Sequence, residues 1–355
     1  MSPPSSISIA IWGAGYWGIN LIRNFAALPG CRVAMVCEPN QNRWGKIRQL
    51  APEAEIQPSH EAALDRREIQ AVVVATPVGT HYRLGLQALE AGKHLFVEKP
   101  LAQSGADCME LIAQAKTRGL RLMVGHTFEY NAAVWKAKEL IRQGELGKIY
   151  YLYSQRLNLG IVRQDINALW SLAPHDVSII RYLLDEDPVA VSARGYAYLQ
   201  DAIEDVVYLD LEFKQGIAAH IHVSWLDPGK VRRMTLVGDR KMLVYDDVDT
   251  EARIQLFDKG ITRANLDVSL GEWSSFKEFQ FIQRAGGREV PAIHFEEPLA
   301  VECRHFMDCI RNGAAPRTSG ENGLRVVRTL EAAELSMKEN GRRVALDELD
   351  PMVSQ

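Results

Sequence analysis

The chain has 355 residues, enough for about two domains, and an ordinary globular make-up in which 47% of residues are apolar and 24% charged. A formal net charge of only −4 argues against a nucleic-acid surface or a membrane patch, and no apolar run is long enough to span a bilayer. Residues 1–6 lack a basic segment followed by an apolar core, so they read as a frayed tail and not as a secretory signal. Cys31, Cys37, Cys108, Cys303 and Cys309 are scattered and form no C-x-x-C pair; they read as reduced, buried thiols of a cytoplasmic protein, without disulfides or zinc.

Taken in chain order, the pattern opens with an apolar strand at Ile7–Trp12 and a helix over 17–27. A strand over 33–37 and a helix over 41–50 follow. Residues 72–75 are a buried strand closed by Thr76 and Pro77, and 80–91 a helix stopped by Gly92. Residues 94–97 are another buried strand, 105–118 a helix stopped by Gly119, and 121–124 a strand. Strands alternating with helices of this length predict an α/β domain over residues 1–125, a doubly wound parallel sheet of the Rossmann type.

Beyond residue 125 the pattern changes. Leu209, Leu211 and Phe213 alternate with Tyr208, Asp210 and Glu212, and Ile217 to Trp225 alternate in the same way. Period-two alternation marks strands with one wetter face. Strands are also expected over 150–156, 189–197 and 234–245, with helices over 131–143 and 175–184 covering one face. Helices over 300–312 and 323–340 close the chain, and residues 249–294 are too polar and irregular to assign. Residues 126–355 thus read as an α+β domain with a large, mostly antiparallel open sheet. Its bare face predicts a homodimer or homotetramer.

The chemistry starts at Gly13-Ala14-Gly15-Tyr16-Trp17-Gly18, a G-x-G-x-x-G turn between strand and helix. The first glycine permits the turn, the second lets backbone approach a pyrophosphate, and the third lets helix and strand pack closely. Glu38, at the end of the second strand, can bond the ribose hydroxyls and repel a 2′-phosphate; this predicts NAD over NADP, a preference that nearby Arg43 weakens. Ligands of such sheets lie beyond the C-terminal strand ends. Thr76, Pro77 and His81 stand there, His81 either touching cofactor or simply beginning the next helix. So do Glu98 and Lys99, followed by Pro100, whose peptide bond can be cis. The ammonium of Lys99 can bond a substrate hydroxyl and stabilise a developing alkoxide. His126, Tyr130 and Asn131 follow the last strand of this domain, and Arg156, Asn158 and Arg163 can bind an anionic or hydroxyl-rich substrate. His220 and His222 share a strand face without a third ligand, so no metal site is expected.

These segments carry a resemblance. Residues 13–18 and 75–81, and above all Ala91-Gly92-Lys93-His94-Leu95-Phe96-Val97-Glu98-Lys99-Pro100, are similar to the glucose-fructose oxidoreductase/inositol dehydrogenase/rhizopine catabolism (Gfo/Idh/MocA) family. So are Gly125-His126-Thr127-Phe128, Tyr130-Asn131, Gly144-Glu145-Leu146-Gly147-Lys148-Ile149, Leu169-Trp170-Ser171-Leu172-Ala173-Pro174-His175-Asp176 and Ser224-Trp225-Leu226-Asp227-Pro228. The resemblance implies an NAD(P)-dependent oxidoreductase moving a hydride between nicotinamide and a secondary alcohol of a sugar, cyclitol or nucleotide sugar. It also implies a C-terminal sheet that makes the subunit interface. The family usually has a D-x-x-x-H pair whose histidine accepts the proton. His175 matches the histidine, but Ser171 stands at the aspartate position. Asp176 should point away from His175, whereas Asp165 can fold back towards it. Two rival functions remain: a same-fold enzyme that uses tightly bound NAD transiently for hydrolysis, elimination or epimerisation, and a non-catalytic dinucleotide sensor.

Overall fold

The computed structural model describes residues 6–160, 162–263 and 281–349; the expected tail, apart from Ser6, lies outside them. The chain folds as two compact units, Met1–Asn131 with Glu296–Glu331, and Ala132–Phe295 with Ala332–Gln355.

The first unit is built on a six-stranded sheet of β1 (Ile7–Trp12), β2 (Cys31–Cys37), β3 (Glu55–Gln57), β4 (Ile69–Val74), β5 (His94–Glu98) and β6 (Leu122–Gly125). The order is β3-β2-β1-β4-β5-β6 and every pair is parallel. Every residue of β1 is buried, as a strand covered on both faces must be. The connecting helices are α1 (Tyr16–Ala27), α2 (Trp44–Leu50), α3 (Glu61–Leu64), α4 (His81–Glu90) and α5 (Gly105–Thr117). Ser104 caps α5 by accepting from the Asp107 N–H at 3.1 Å. Gly92, at φ +74°, ends the turn after α4, where the Lys93 N–H reaches back to the Ala88 carbonyl.

The second unit holds α6 (Ala132–Arg142), β7 (Ile149–Leu157), α7 (Ala168–Leu184), β8 (Ala190–Tyr196), β9 (Val206–Glu212), β10 (Ala218–Ser224), β11 (Val231–Gly238), β12 (Met242–Asp246), β13 (Ile254–Arg263) and β14 (Phe281–Glu289). The chain then gives α8 (Pro298–Asn312) to the first unit, where Phe306 meets Phe25 of α1 and Phe96 of β5 edge to face, at 6.4 and 5.6 Å between centroids. Last come α9 (Gly320–Lys338) and β15 (Val344–Ala345).

Among the described residues the second sheet has nine strands in the order β14-β13-β12-β11-β7-β10-β9-β8-β15, antiparallel except for the β7–β10 pair. The helix α7 packs over β7, β9 and β10, and α6 packs on α7, β12 and β13. On the other face Tyr153, His220 and Asp210 lie abreast, and Tyr151, Tyr153, Tyr196 and Tyr208 are exposed. The expected alternation holds, with Leu209, Leu211, Ile221 and Val223 buried on the helix side.

Three expectations need correction. The single strand expected over 234–245 is a hairpin, β11 and β12, closed where the Gly238 N–H donates to the Lys241 carbonyl. The helix expected from residue 175 starts at Ala168, capped by Asn167. Inside the helix Pro174 removes one donor and crowds the Trp170 carbonyl, yet the apolar face of Ala168, Leu169 and Ala173 is buried regardless. The unassigned stretch contains β13 and β14, with residues 264–280 outside the described ones. No helix of the described residues is long and apolar enough to cross a membrane.

Candidate active site

The parallel register of the first sheet brings the sequence-marked residues to one edge. Trp12 is level with Cys37 and Val74, Val74 with Val97, and Glu98 with Gly125. The glycine turn, Glu38, the 75–81 segment and Lys99 therefore all leave the C-terminal strand ends together.

Close packing requires the outer two glycines. A Cβ at Gly13, whose φ is +92°, would stand 2.7 Å from the Ala75 carbonyl oxygen, and one at Gly18 only 2.1 Å from that of Gly13. At Gly15 the nearest atom to such a Cβ is Nη1 of Arg43, 4.0 Å away, so the space over the N-terminus of α1 is open. No side chain caps α1 and its first turn carries no acid, which leaves its N–H groups and positive dipole end for an anion. The adjoining cleft, about 470 Å³, is lined by Gly15, Tyr16, Asn20, Asn42, Arg43 and Lys46. Tyr16 is 78% exposed, and its ring meets Trp17 edge-on.

Glu38 is buried under this cleft. Its Oε2 accepts from the Ala14 N–H at 2.8 Å and from Arg43 at 3.1 Å, and its Oε1 from the Asn40 N–H at 2.9 Å. The carboxylate thus ties the glycine turn to the end of β2 and draws Arg43 to the same place. Asn42 and Lys46 were missed in sequence; their signal was their position just after the acid that ends the second strand.

His81 does begin α4, and its ring is buried between two loops. Nδ1 lies 2.8 Å from the Pro100 carbonyl and Nε2 2.9 Å from the Thr76 carbonyl. Thr76 and Thr80 share a hydroxyl hydrogen bond of 2.6 Å. The Lys99–Pro100 bond is cis. Lys99 itself is half-buried, and Glu98 before it is buried. Burial pushes the Glu98 carboxyl up to about 7, against the opposing pull of Lys99. His126, Tyr130 and Asn131 are interior residues of this unit. The Tyr130 hydroxyl lies 3.1 Å from that of Thr318, and Arg317 stacks on its ring at 5.2 Å.

In the second unit, His175 lies inside α7 and is 9% exposed, with Ser171 one turn earlier on the same helix face. Asp176 points to the sheet. It accepts from Nε of Arg156 at 2.6 Å and from the Ser154 hydroxyl at 2.6 Å. Arg156 is thereby committed to a buried ion pair. Asp165 pairs with Arg163 through two bonds of 2.8 and 2.6 Å. The Asn158 N–H donates to the Ser224 carbonyl. His220 bonds Asp210, and His222 stacks on Tyr208.

Comparison with known proteins agrees with this architecture. The profile of an oxidoreductase family with an NAD-binding Rossmann fold, Gfo/Idh/MocA, matches residues 7–126, and that of the Gfo/Idh/MocA C-terminal domain matches residues 134–244. The chain belongs to the Gfo/Idh/MocA family. Among its relatives, scyllo-inositol 2-dehydrogenase (NAD(+)) of Bacillus subtilis (strain 168) is 27% identical over 323 residues, 87% of this chain and 88% of that protein. A 2,7-anhydro-N-acetylneuraminate hydratase of Mediterraneibacter gnavus is 27% identical over 227 residues, 59% of each chain. A crystal structure from Magnetospirillum magnetotacticum MS-1 is 31% identical with a TM-score of 0.77, covering 92% of this chain and 99% of that one.

The first unit matches an NAD-binding Rossmann domain, and its residues fit such a cofactor: the uncapped N-terminus of α1 could accept a pyrophosphate, and the Glu38 carboxylate lies against the glycine turn. The departure at Ser171 stands, since a serine hydroxyl orients an imidazole less firmly than a carboxylate and cannot balance its charge.

Proposed function

We propose that this chain is an NAD-dependent dehydrogenase that oxidises a secondary alcohol of a sugar, cyclitol or nucleotide sugar. The observation that carries the proposal is the shared strand edge, where an uncapped helix N-terminus behind a glycine turn stands in line with Lys99. The inositol dehydrogenase relative supports the reaction and the cofactor. Bound nicotinamide supplies the hydride acceptor. Residues 13–18 would hold the pyrophosphate and Glu38 the adenosine ribose, and Thr76 and Pro77 would line the cofactor's path, with His81 behind them as a support for both loops. Lys99 donates a hydrogen bond to the carbinol oxygen and holds the negative charge that grows there. His175 takes the hydroxyl proton onto an imidazole nitrogen, directly or through one water. The carbinol C–H bond breaks as its hydride leaves, and the C–O bond becomes a carbonyl. His126, Tyr130, Asn158, Arg163 and Ser171 remain the candidates for shaping the substrate site, with Arg156 acting through its ion pair.

Two further assignments rest on lesser support. The exposed tyrosine face of the nine-stranded sheet is assigned to a second copy of this chain, forming a dimer or tetramer. The five cysteines are all free, which suits the reducing cytoplasm.

The test is purified protein with NAD, and in parallel NADP, against a panel of polyols and nucleotide sugars, following reduced nicotinamide. On the accepted substrate, Lys99→Ala is expected to lose about 10²–10³-fold in kcat/KM, and His175→Ala about 10²–10⁴-fold. Substrate turnover without reduced nicotinamide would replace this reading with transient cofactor use. Wild-type kcat/KM in Lys99→Ala would remove its assigned role.

A further inference from the structure

Behind Lys99 the first unit buries two carboxyl groups that the hydride chemistry does not use. Glu98 ends β5 and is 7% exposed; Glu302, on α8, is fully buried. The Glu98 side chain lies along the end of β6, where a Cβ on Gly125 would come within 3.2 Å of its carboxyl carbon and Oε2. Glu302 holds the turn that follows β6, its Oε2 accepting from the Thr127 hydroxyl at 2.7 Å. In both residues Oε1 is buried with no hydrogen-bond partner among the described residues. Each group thus has a buried oxygen with no donor among the described residues, a poor setting for a negative charge and a good one for a proton.

We propose that Glu98 and Glu302 form a buried acid pair that stores a proton behind Lys99, with Glu98 as a positioning residue that switches the charge beside that ammonium. The proposal rests on Lys99 acting as assigned above. With the pair fully protonated, the field of Lys99 acts on the substrate oxygen without a neighbouring anion. Once Glu98 ionises, its carboxylate draws on the same ammonium. Glu302 keeps its proton longer: burial raises its affinity most, and the charge of Glu98 and then of Glu129 adds to it, against the Thr127 hydrogen bond. Titratable and charged neighbours include Lys99 on the same strand end, Glu129 and Tyr130 in the turn after β6, and Cys303 beside Glu302 on α8.

Three measurements test this on the full chain, and two need no turnover. Infrared spectra at about pH 7 should show a protonated carboxylic acid band that shifts in D2O and weakens in Glu302→Gln, where only the partly protonated Glu98 is left to contribute. A carboxyl with raised folded affinity stabilises most below its unfolded pKa and loses that stabilisation as pH rises through the folded value. Wild-type melting temperature should therefore fall more steeply than that of Glu302→Gln between about pH 5 and about pH 9. The kcat/KM profile of wild type should carry a limb near pH 7 that Glu98→Gln lacks. Absence of the acid band, its undiminished intensity in Glu302→Gln, or parallel melting profiles would overturn the stored proton. An unchanged limb in Glu98→Gln would overturn the link to Lys99. Failure of Lys99→Ala to lose activity would count against the catalytic assignment while leaving the acid pair standing.

Discussion

Replacing Arg156 by methionine separates a binding role from a structural one. The guanidinium and Asp176 are 6% and 4% exposed in their side chains, joined at 2.6 Å. The variant leaves the Asp176 carboxylate buried, with the Ser154 hydroxyl still donating to it. Removing one member of such a pair costs about 3–5 kcal/mol, because the surviving charge stays out of water unpaired. For a unit of this size each kcal/mol is about 2–4 °C, so the melting temperature should drop by roughly 10 °C. Arg156→Met with Asp176→Leu should recover most of that loss, since no charge is left behind. Urea unfolding and calorimetry on both variants, alongside KM, provide the measurement. A loss below about 1 kcal/mol in Arg156→Met, combined with a raised KM, would refute the reasoning and return Arg156 to the substrate.

Gly18→Ala should cost about 1–3 kcal/mol in stability and weaken NAD at least about tenfold, because its Cβ would meet the Gly13 carbonyl; calorimetric titration with near-wild-type affinity would contradict this. Burial pushes the thiols of Cys31, Cys37 and Cys108 up to about 12, so at pH 8 roughly 10⁻⁴ of each is thiolate. Ellman's reagent should leave them unmodified in the native protein and titrate them on unfolding, and fast native labelling would show that they are open. Ser171→Asp puts a carboxylate one turn from the His175 imidazole and should move the acid limb of the kcat/KM profile to higher pH. A limb that stays in place would mean that the two side chains do not communicate.

Much of the first unit was legible because both its signals are local. An uninterrupted apolar run means a strand covered on both faces, and a glycine at each end of a helix marks where the chain must bend tightly. The second sheet was legible wherever one face is wet, as at Leu209, Leu211 and Phe213. It was not legible in β13 and β14, where Gln255, Lys259 and Arg284 replace apolar residues and the period fades. The start of α7 was hidden by Pro174, whose lost hydrogen bond and crowding of the preceding turn are set against a whole buried face. Arg156 could have been read differently: it shares parity with Leu152 on β7 and so faces the helix side. That Asp176 would be waiting there depends on how α7 crosses the sheet, which no local pattern encodes. The same holds for α8, whose apolar stripe does not say which sheet it will cover.

The ring of His81 stands between two acceptors, the carbonyls of Thr76 and Pro100, and neither can give it a hydrogen. A neutral imidazole has a single N–H, so it serves one of them and turns a lone pair towards the other. Only the cation satisfies both at once. Where the neutral ring's hydrogen sits therefore decides which carbonyl the ring is bonded to, that of Thr76 after β4 or that of Pro100 after β5.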